Sequence, residues 1–416
     1  MKLIQKVFCR GVQMLFRVAL PVLPYKDPTI LERVDEILPV LKEKEIDSVL
    51  LVTDEYLHNS GATTRLEQML WKNHIRCYVY DGVCPNPTVE NVEEAFAEYI
   101  RGGCKATIAY GGGSVIDCAK AVGARVAYPR RSIQRMKGLL RVLRKTPLMI
   151  AVPTAAGSGS EAALASLITD PIQKRKYVMY NFTMIPEYAV LDAEATYTVP
   201  AHLTATIGMD ALTHAVEAYI GETTTPQTRA YALQAVRLIF ENLETAYTYG
   251  THHTARKNML YASHIAGIAF SKSYVGYIHT IAHSLGGQYN LPHGLANAVI
   301  MPYVLEAYGA PVYRKLHELG VAAGVVRVTD SIELGAKKFI YAIRRLNRRM
   351  GIPCTLAGIR EEDIPILAKH AAAEANPLYP VPVLMRAKEL EKFYYMVMDT
   401  RGEGSESEYE ATGKAA

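Results

Sequence analysis

Short apolar runs recur through the first half of the chain: SVLLVT at 48–53, IRCYVY at 75–80, KATIAY at 105–110 and PLMIAV at 147–152. Each is rich in β-branched residues and too short for a helix, while the stretches between them carry the apolar period of amphipathic helices. That alternation predicts buried parallel strands joined by crossover helices. After Pro200 the strand pattern stops, and long helical periods follow at 203–219, 227–246, 254–272 and 332–349. The expected architecture is an α/β domain over 30–200 followed by an all-α helical domain over 201–399. The tail from 400 to 416, TRGEGSESEYEATGKAA, has too few apolar side chains to offset the entropy of ordering and is expected to be disordered.

The first 29 residues form a separate extension. Lys2, Lys6, Arg10 and Arg17 are set among Leu, Ile, Val, Phe and Met at helical spacing, which predicts a basic amphipathic helix. Three readings stand: packing against the body of the protein or a partner subunit, contact with a membrane surface, and targeting. No apolar run reaches the roughly 18–20 residues that a membrane span needs, and no convincing small-residue cleavage site follows the helix.

Length and charge narrow the classes. A chain of 416 residues, half of them hydrophobic, is expected to bury more than one core. A net charge of +5, from 46 basic and 41 acidic residues, is not the field of a nucleic-acid binder. Cys9, Cys77, Cys84, Cys104, Cys118 and Cys354 are scattered without a paired motif, as expected of reduced thiols in a cytoplasmic protein.

Two glycine-rich turns carry the first candidate chemistry. Gly111, Gly112, Gly113 and Ser114 follow the strand KATIAY and lead into a helical run from Val115. Glycine lets the backbone approach a phosphate, and the amides of a helix start offer oriented donors. A second turn follows PLMIAV, where Pro153, Thr154, Gly157, Ser158, Gly159 and Ser160 run into Glu161. Neither is the G-x-G-x-x-G fingerprint, but two such turns at strand ends predict a Rossmann-like nucleotide-binding domain. Asp54 follows the first strand of the chain's apolar series, SVLLVT at 48–53. Its carboxylate would accept hydrogen bonds from ribose hydroxyls and repel a 2′-phosphate, favouring NAD(H) over NADP(H); the competing reading is an N-cap for the next helix.

The helical half holds the second constellation. Asp210 and His214 lie four apart, so they share a helix face, and His279 and His283 repeat that spacing, with His293 after Pro292. An aspartate and imidazoles in an apolar helical domain predict a divalent metal, Fe²⁺ or Zn²⁺, with a position open to substrate. Such an ion also suits a hydrolase or lyase. The nucleotide turns tilt the choice towards hydride transfer.

At these residues the sequence resembles the iron-containing alcohol dehydrogenases, in the superfamily that includes glycerol dehydrogenase and dehydroquinate synthase. The resemblance spans roughly 30–395, with GGGSVID, PTAAGSGSE, GMDALTHAVEAY and the histidines ending in PHG in the family's order. It implies four metal ligands, Asp210, His214, His279 and His293, and cofactor contacts from Asp54, Gly112, Gly113, Ser114, Thr154, Ser158 and Lys176. It also implies a homodimer, Asp117 lining the cleft, and His283 near metal and nicotinamide, as a proton relay or a pocket wall.

The expected function is NAD(P)-linked dehydrogenation of a small alcohol or reduction of an aldehyde. The alternatives are a polyol or sugar-phosphate dehydrogenase of the same superfamily and a catalytically silent membrane-surface or scaffold protein. The chain departs from the family's pattern at Ala155, Thr280 and Ser284, which leaves substrate preference open. The stretch 129–145 carries seven Lys or Arg and no acid. It reads first as a solvated face and second as a basic amphipathic helix that meets an anionic membrane, a partner or an anionic substrate.

Overall fold

The computed structural model describes residues 3–19, 23–172 and 175–399, so the tail expected to be disordered from 400 to 416 lies outside the described residues. Nine strands are described: β1 (Thr29–Leu31), β2 (Ser48–Val52), β3 (Arg76–Tyr80), β4 (Ala106–Gly111), β5 (Gly138–Leu139), β6 (Leu148–Pro153), β7 (Ala165–Asp170), β8 (Arg175–Tyr180) and β9 (Tyr188–Val190). Six of them form a parallel sheet in the order β1-β9-β6-β4-β2-β3. Side chains alternate between two cores. Leu50, Val52, Ala109 and Ala151 face one, and Val49, Leu51, Ile108, Ile150 and Val152 face the other. Burial on both faces is why these strands read as continuous apolar runs.

From β2 the chain moves outward to β3 and then returns to β4 on the other side of β2, so the winding reverses between β2 and β4. The crevice at such a reversal is where open α/β sheets bind ligands. β4 and β6 are neighbours with Gly111 opposite Pro153. Both glycine-rich turns therefore leave the sheet side by side.

The strands end at Val190, and helices begin at Ala201. The helix Ala201–Ile220 is buried at nearly every residue from Thr204 onward. It is wrapped by the helices Pro226–Thr248, His253–Ser273 and His293–Tyr308, which is why its own pattern shows little amphipathicity. Local signals set some ends. Thr225 accepts from the Thr228 amide, the Thr228 hydroxyl answers the Thr225 amide, and Pro226 opens the helix.

Two segments depart from expectation. The basic stretch 129–145 leaves Arg130, Arg135, Lys137, Arg141, Arg144 and Lys145 exposed, as a solvated face does, but it is not the amphipathic helix of the second reading: a short 3-10 turn at Ile133–Met136 leads into β5, and Gly138 and Leu140 adopt left-handed φ of 94° and 56°. Non-local pairing decides this, because β5 runs parallel to β8 and the Leu140 amide donates to the Tyr180 carbonyl at 2.9 Å. The second is the antiparallel hairpin β7–β8, which completes a small three-stranded sheet with β5 and carries Lys176.

The N-terminal segment is a helix, Leu3–Ala19, seated on the helical domain. Arg10 donates to the carbonyls of Val381 and Pro382 at 2.8 Å each, and Gln13 donates to that of Tyr379 at 2.7 Å.

Candidate active site

Asp210 and His214 project from one face of Ala201–Ile220, His279 and His283 from Tyr277–Tyr289, and His293 from the first turn of His293–Tyr308. Close approach of the last helix to the first depends on Gly294, where a Cβ would lie 2.5 Å from the Thr206 carbonyl oxygen. Ligand atoms of Asp210, His279 and His293 then fall within 4.8 Å of one another. The Nε2 atoms of His279 and His293 stand 3.7 and 3.5 Å from Asp210 Oδ1. His214 is alongside this trio, its ring stacked on His279 at 4.4 Å.

Tautomers follow from the neighbours. A carbonyl can only accept, so His214 Nδ1 donates to Gly157 O at 3.2 Å, which leaves its Nε2 lone pair free. His279 Nδ1 faces Glu217 Oε2 at 2.6 Å, while its fully buried Nε2 has no hydrogen-bond partner. Burial, reinforced by the other imidazoles, holds His279 and His293 well below the usual histidine range. Burial also pushes the Asp210 carboxyl up. Neutral imidazoles, an orphaned buried nitrogen and a carboxylate short of positive charge fit a divalent cation.

The turns differ in how they use their glycines. Gly112 caps the helix Gly113–Ala127 without a side-chain bond, and a Cβ there would meet nothing within 4 Å. That leaves the helix's first amides open to an anion. Gly157 instead presses on the catalytic half, where a Cβ would lie 2.1 Å from the Ile207 carbonyl oxygen. Ser114 Oγ accepts from the Asn86 amide at 3.3 Å, Ser158 Oγ from the Ser160 amide at 3.2 Å, and Thr154 is buried. Asp54 caps the helix Glu55–Asn59, its Oδ1 accepting from the Leu57 amide at 2.9 Å. Lys176 donates to Asn86 Oδ1 at 2.6 Å, and burial lowers its pKa to about 8. Asp117 is engaged on both oxygens: Ser160 Oγ donates to Oδ1, and the Leu167 amide donates to Oδ2 at 3.0 Å.

The two halves match two family models, "Iron-containing alcohol dehydrogenase" over residues 29–193 and "Fe-containing alcohol dehydrogenase family, C-terminal" over 204–398. The chain belongs to the iron-containing alcohol dehydrogenase family. It is 38% identical over 331 residues to the 1,3-propanediol dehydrogenase of Klebsiella pneumoniae, covering 79% of this chain and 85% of that one. It is 34% identical over 350 residues to the NAD-dependent methanol dehydrogenase of Bacillus methanolicus, covering 83% and 92%. A crystal structure of 1,3-propanediol oxidoreductase superposes with a TM-score of 0.85 at 34% identity, covering 90% of this chain and 99% of the other.

Membership makes this iron-containing alcohol dehydrogenase an oxidoreductase acting on alcohols, with a small-molecule alcohol or aldehyde as substrate, and it implies a nicotinamide cofactor and a metal ion. Sequence reasoning missed two carboxylates at its site. Glu217 lies one turn beyond His214, accepts from the amides of Gly276 and Ile278 at 2.7 and 2.9 Å, and faces His279. Burial pushes its carboxyl up to about 8 against those donors. Its spacing from Asp210 and His214 was a usable signal. Glu374 gave none: it meets His283 Nδ1 at 2.7 Å from 91 residues away and accepts from the Tyr379 hydroxyl at 3.1 Å. That tyrosine is in turn joined to Tyr180 at 2.8 Å.

Proposed function

We propose that this chain is a metal-dependent, NAD(H)-linked alcohol dehydrogenase and aldehyde reductase acting on a short alcohol or diol. The observation that carries the reading is the convergence of Asp210, His279 and His293 around a buried, partnerless His279 Nε2. Asp210, His214, His279 and His293 would hold Fe²⁺ or Zn²⁺. When bound, that ion supplies the Lewis acidity that makes an alcohol easier to deprotonate and a carbonyl easier to reduce.

The rest is work for the chain's own side chains. Gly157 O and Glu217 orient the rings of His214 and His279 through Nδ1, so that each presents Nε2 to the site. The open amides after Gly112, with Gly113, Ser114, Thr154 and Ser158, seat the pyrophosphate. Lys176 contributes positive charge beside that seat below about pH 8. His283 moves the alcohol proton, and Glu374 holds the ring at Nδ1 with Tyr379 and Tyr180 behind it. Asp117, fully engaged with Ser160 and Leu167, positions the two turns relative to each other.

Asp54 stands at the carboxyl end of β2, beside the reversal of winding, where a carboxylate disfavours a 2′-phosphate. The Bacillus methanolicus relative is named as NAD-dependent, and the Klebsiella pneumoniae relative for 1,3-propanediol, which supports the cofactor and the diol. The scattered free thiols support a cytoplasmic setting, and the family resemblance supports a homodimer.

The test is reconstitution: remove the metal, restore Fe²⁺ or Zn²⁺ separately without oxygen, and follow NADH and NADPH absorbance with short alcohols, diols and aldehydes. Metal-dependent NADH consumption with an aldehyde is expected. Binding of metal and NADH without turnover of any pair overturns the substrate class.

A further inference from the structure

The helix Leu3–Ala19 lies outside both family matches, which begin at residue 29, and the reaction gives it no task. Its orientation is inverted relative to an ordinary surface helix, which turns its apolar stripe inward. Here the side seated on the protein uses Cys9 and Gln13, at 4% and 3% exposure, with Arg10 bonded to the Val381 and Pro382 carbonyls. The side turned outward carries Ile4, Val7, Phe8, Met14, Leu15 and Val18, each between 62% and 82% exposed. At about 100° per residue these six occupy one continuous arc of roughly 120°. Lys6 and Arg17 lie exposed along one flank of it, with Arg10 between them turned to the body, and no acid occurs before Asp27.

A second basic and apolar segment lies close by. Phe16 packs edge-on against Tyr274 at 4.9 Å, and Tyr274 meets Tyr180 at 5.9 Å. The Leu140 amide bonds to the Tyr180 carbonyl. The loop 137–145 is thus two side chains away from the helix, with Leu139, Leu140 and Leu143 exposed and Lys137, Arg141, Arg144 and Lys145 among them. No helix among the described residues is long and apolar enough to cross a membrane.

We propose that the outward face of Leu3–Ala19, with the loop 137–145 beside it, is a docking surface for an anionic phospholipid bilayer, the apolar arc lying in the headgroup boundary and the cations meeting lipid phosphates and carboxylates. An in-plane helix with a basic flank has the features this mode needs. Charge complementarity selects the occupant. A second copy of this face would offer Lys6 and Arg17 no acidic partner, because a two-fold interface pairs a patch with itself and the segment has no acid before Asp27, whereas an anionic bilayer neutralises them. The bonds from Arg10 and Gln13 hold the helix to the body with its apolar side out, so that the whole enzyme is carried to the surface.

The experiment is co-sedimentation of the full chain with vesicles of phosphatidylcholine alone, and of two parts phosphatidylcholine to one part phosphatidylserine. Binding to the second, weak or absent on the first, is expected to fall as salt rises. Phe8→Glu with Leu15→Glu is expected to abolish it. Lys6→Glu with Arg17→Glu should weaken partitioning by at least about tenfold, given roughly 1 kcal/mol per cation near such a surface. All four side chains lie outside the catalytic machinery, so unchanged alcohol-oxidising turnover and melting temperature show that the variants are folded. Failure to sediment with either vesicle overturns the proposal, as does equal, salt-independent binding to both. A fall in oligomeric mass of the Phe8→Glu, Leu15→Glu variant without any vesicle binding by the parent assigns the face to a second copy instead.

Discussion

In the α/β half the candidate residues lie mainly in two turns, Gly111–Ser114 and Pro153–Ser160, delivered side by side by adjacent parallel strands. In the helical half Asp210, His279 and His293 come from three separate helices and meet only because those helices pack closely. The first arrangement presents backbone amides, with room for a side chain at Gly112 but none at Gly157. The second presents imidazoles and a carboxylate, with the rings of His214 and His279 oriented by Gly157 O and Glu217.

That contrast can be broken most directly at His279. His279→Ala is expected to abolish metal retention and lower kcat/KM by at least about a thousandfold, while NADH affinity changes by less than about twofold. Metal analysis and fluorescence titration check the two halves independently, and a comparable loss of NADH binding would merge them. Next in size is Glu217→Gln, which keeps the volume but weakens the acceptor facing His279 and the Gly276 and Ile278 amides. Metal affinity should drop by about 10- to 100-fold, read by competition with a chelator.

Glycine substitutions sharpen the comparison within the turns. Gly157→Ala forces a methyl onto the Ile207 carbonyl and should destabilise the fold by about 1–3 kcal/mol, read from denaturant midpoints. Gly112→Ala meets open space at an ordinary φ of −73°, so stability should shift by less than about 0.5 kcal/mol while the KM for NADH rises severalfold. Asp54→Ser separates the two readings of that residue, because serine keeps the cap but removes the charge. An unchanged melting temperature with an NAD/NADP preference relaxed by about tenfold supports the ribose reading, and an unchanged preference leaves Asp54 as a cap alone.

The smallest effect is a pH dependence of opposite sign in two measurements. Burial lowers Lys120 and Lys176 to about 8 from 10.5. Between those values the folded chain has released protons that the unfolded chain still binds, so both lysines make stability rise with pH. Over the same window Lys176 loses the charge that the proposed cofactor seat would use, so NADH affinity should fall. Lys176→Met should flatten the affinity profile.

Much of this was legible in the sequence. The runs at 48–53, 75–80, 105–110 and 147–152 correspond to β2, β3, β4 and β6: β2, β4 and β6 lie inside the sheet and are mostly apolar, while β3 is an edge strand with Arg76 exposed. The loop at 129–145 was less so, since helical spacing of Arg and Leu there is overridden by pairing with β8. Glu374 was invisible, since neither its type nor its spacing relates it to His283.

Sequence alone determined the two-part architecture, the glycine-rich turns and the aspartate and histidines to consider, because periodicity and fixed spacing along an element are local properties. Only the tertiary structure decided which glycines are open to a ligand and which are filled by a neighbouring helix. It also decided that the N-terminal helix turns its apolar side outward, and that Glu217 and Glu374 hold the rings of His279 and His283. Those outcomes depend on which distant surfaces meet, and a contact between elements 60 or 90 residues apart is set by how helices and sheet pack rather than by any pattern within either segment.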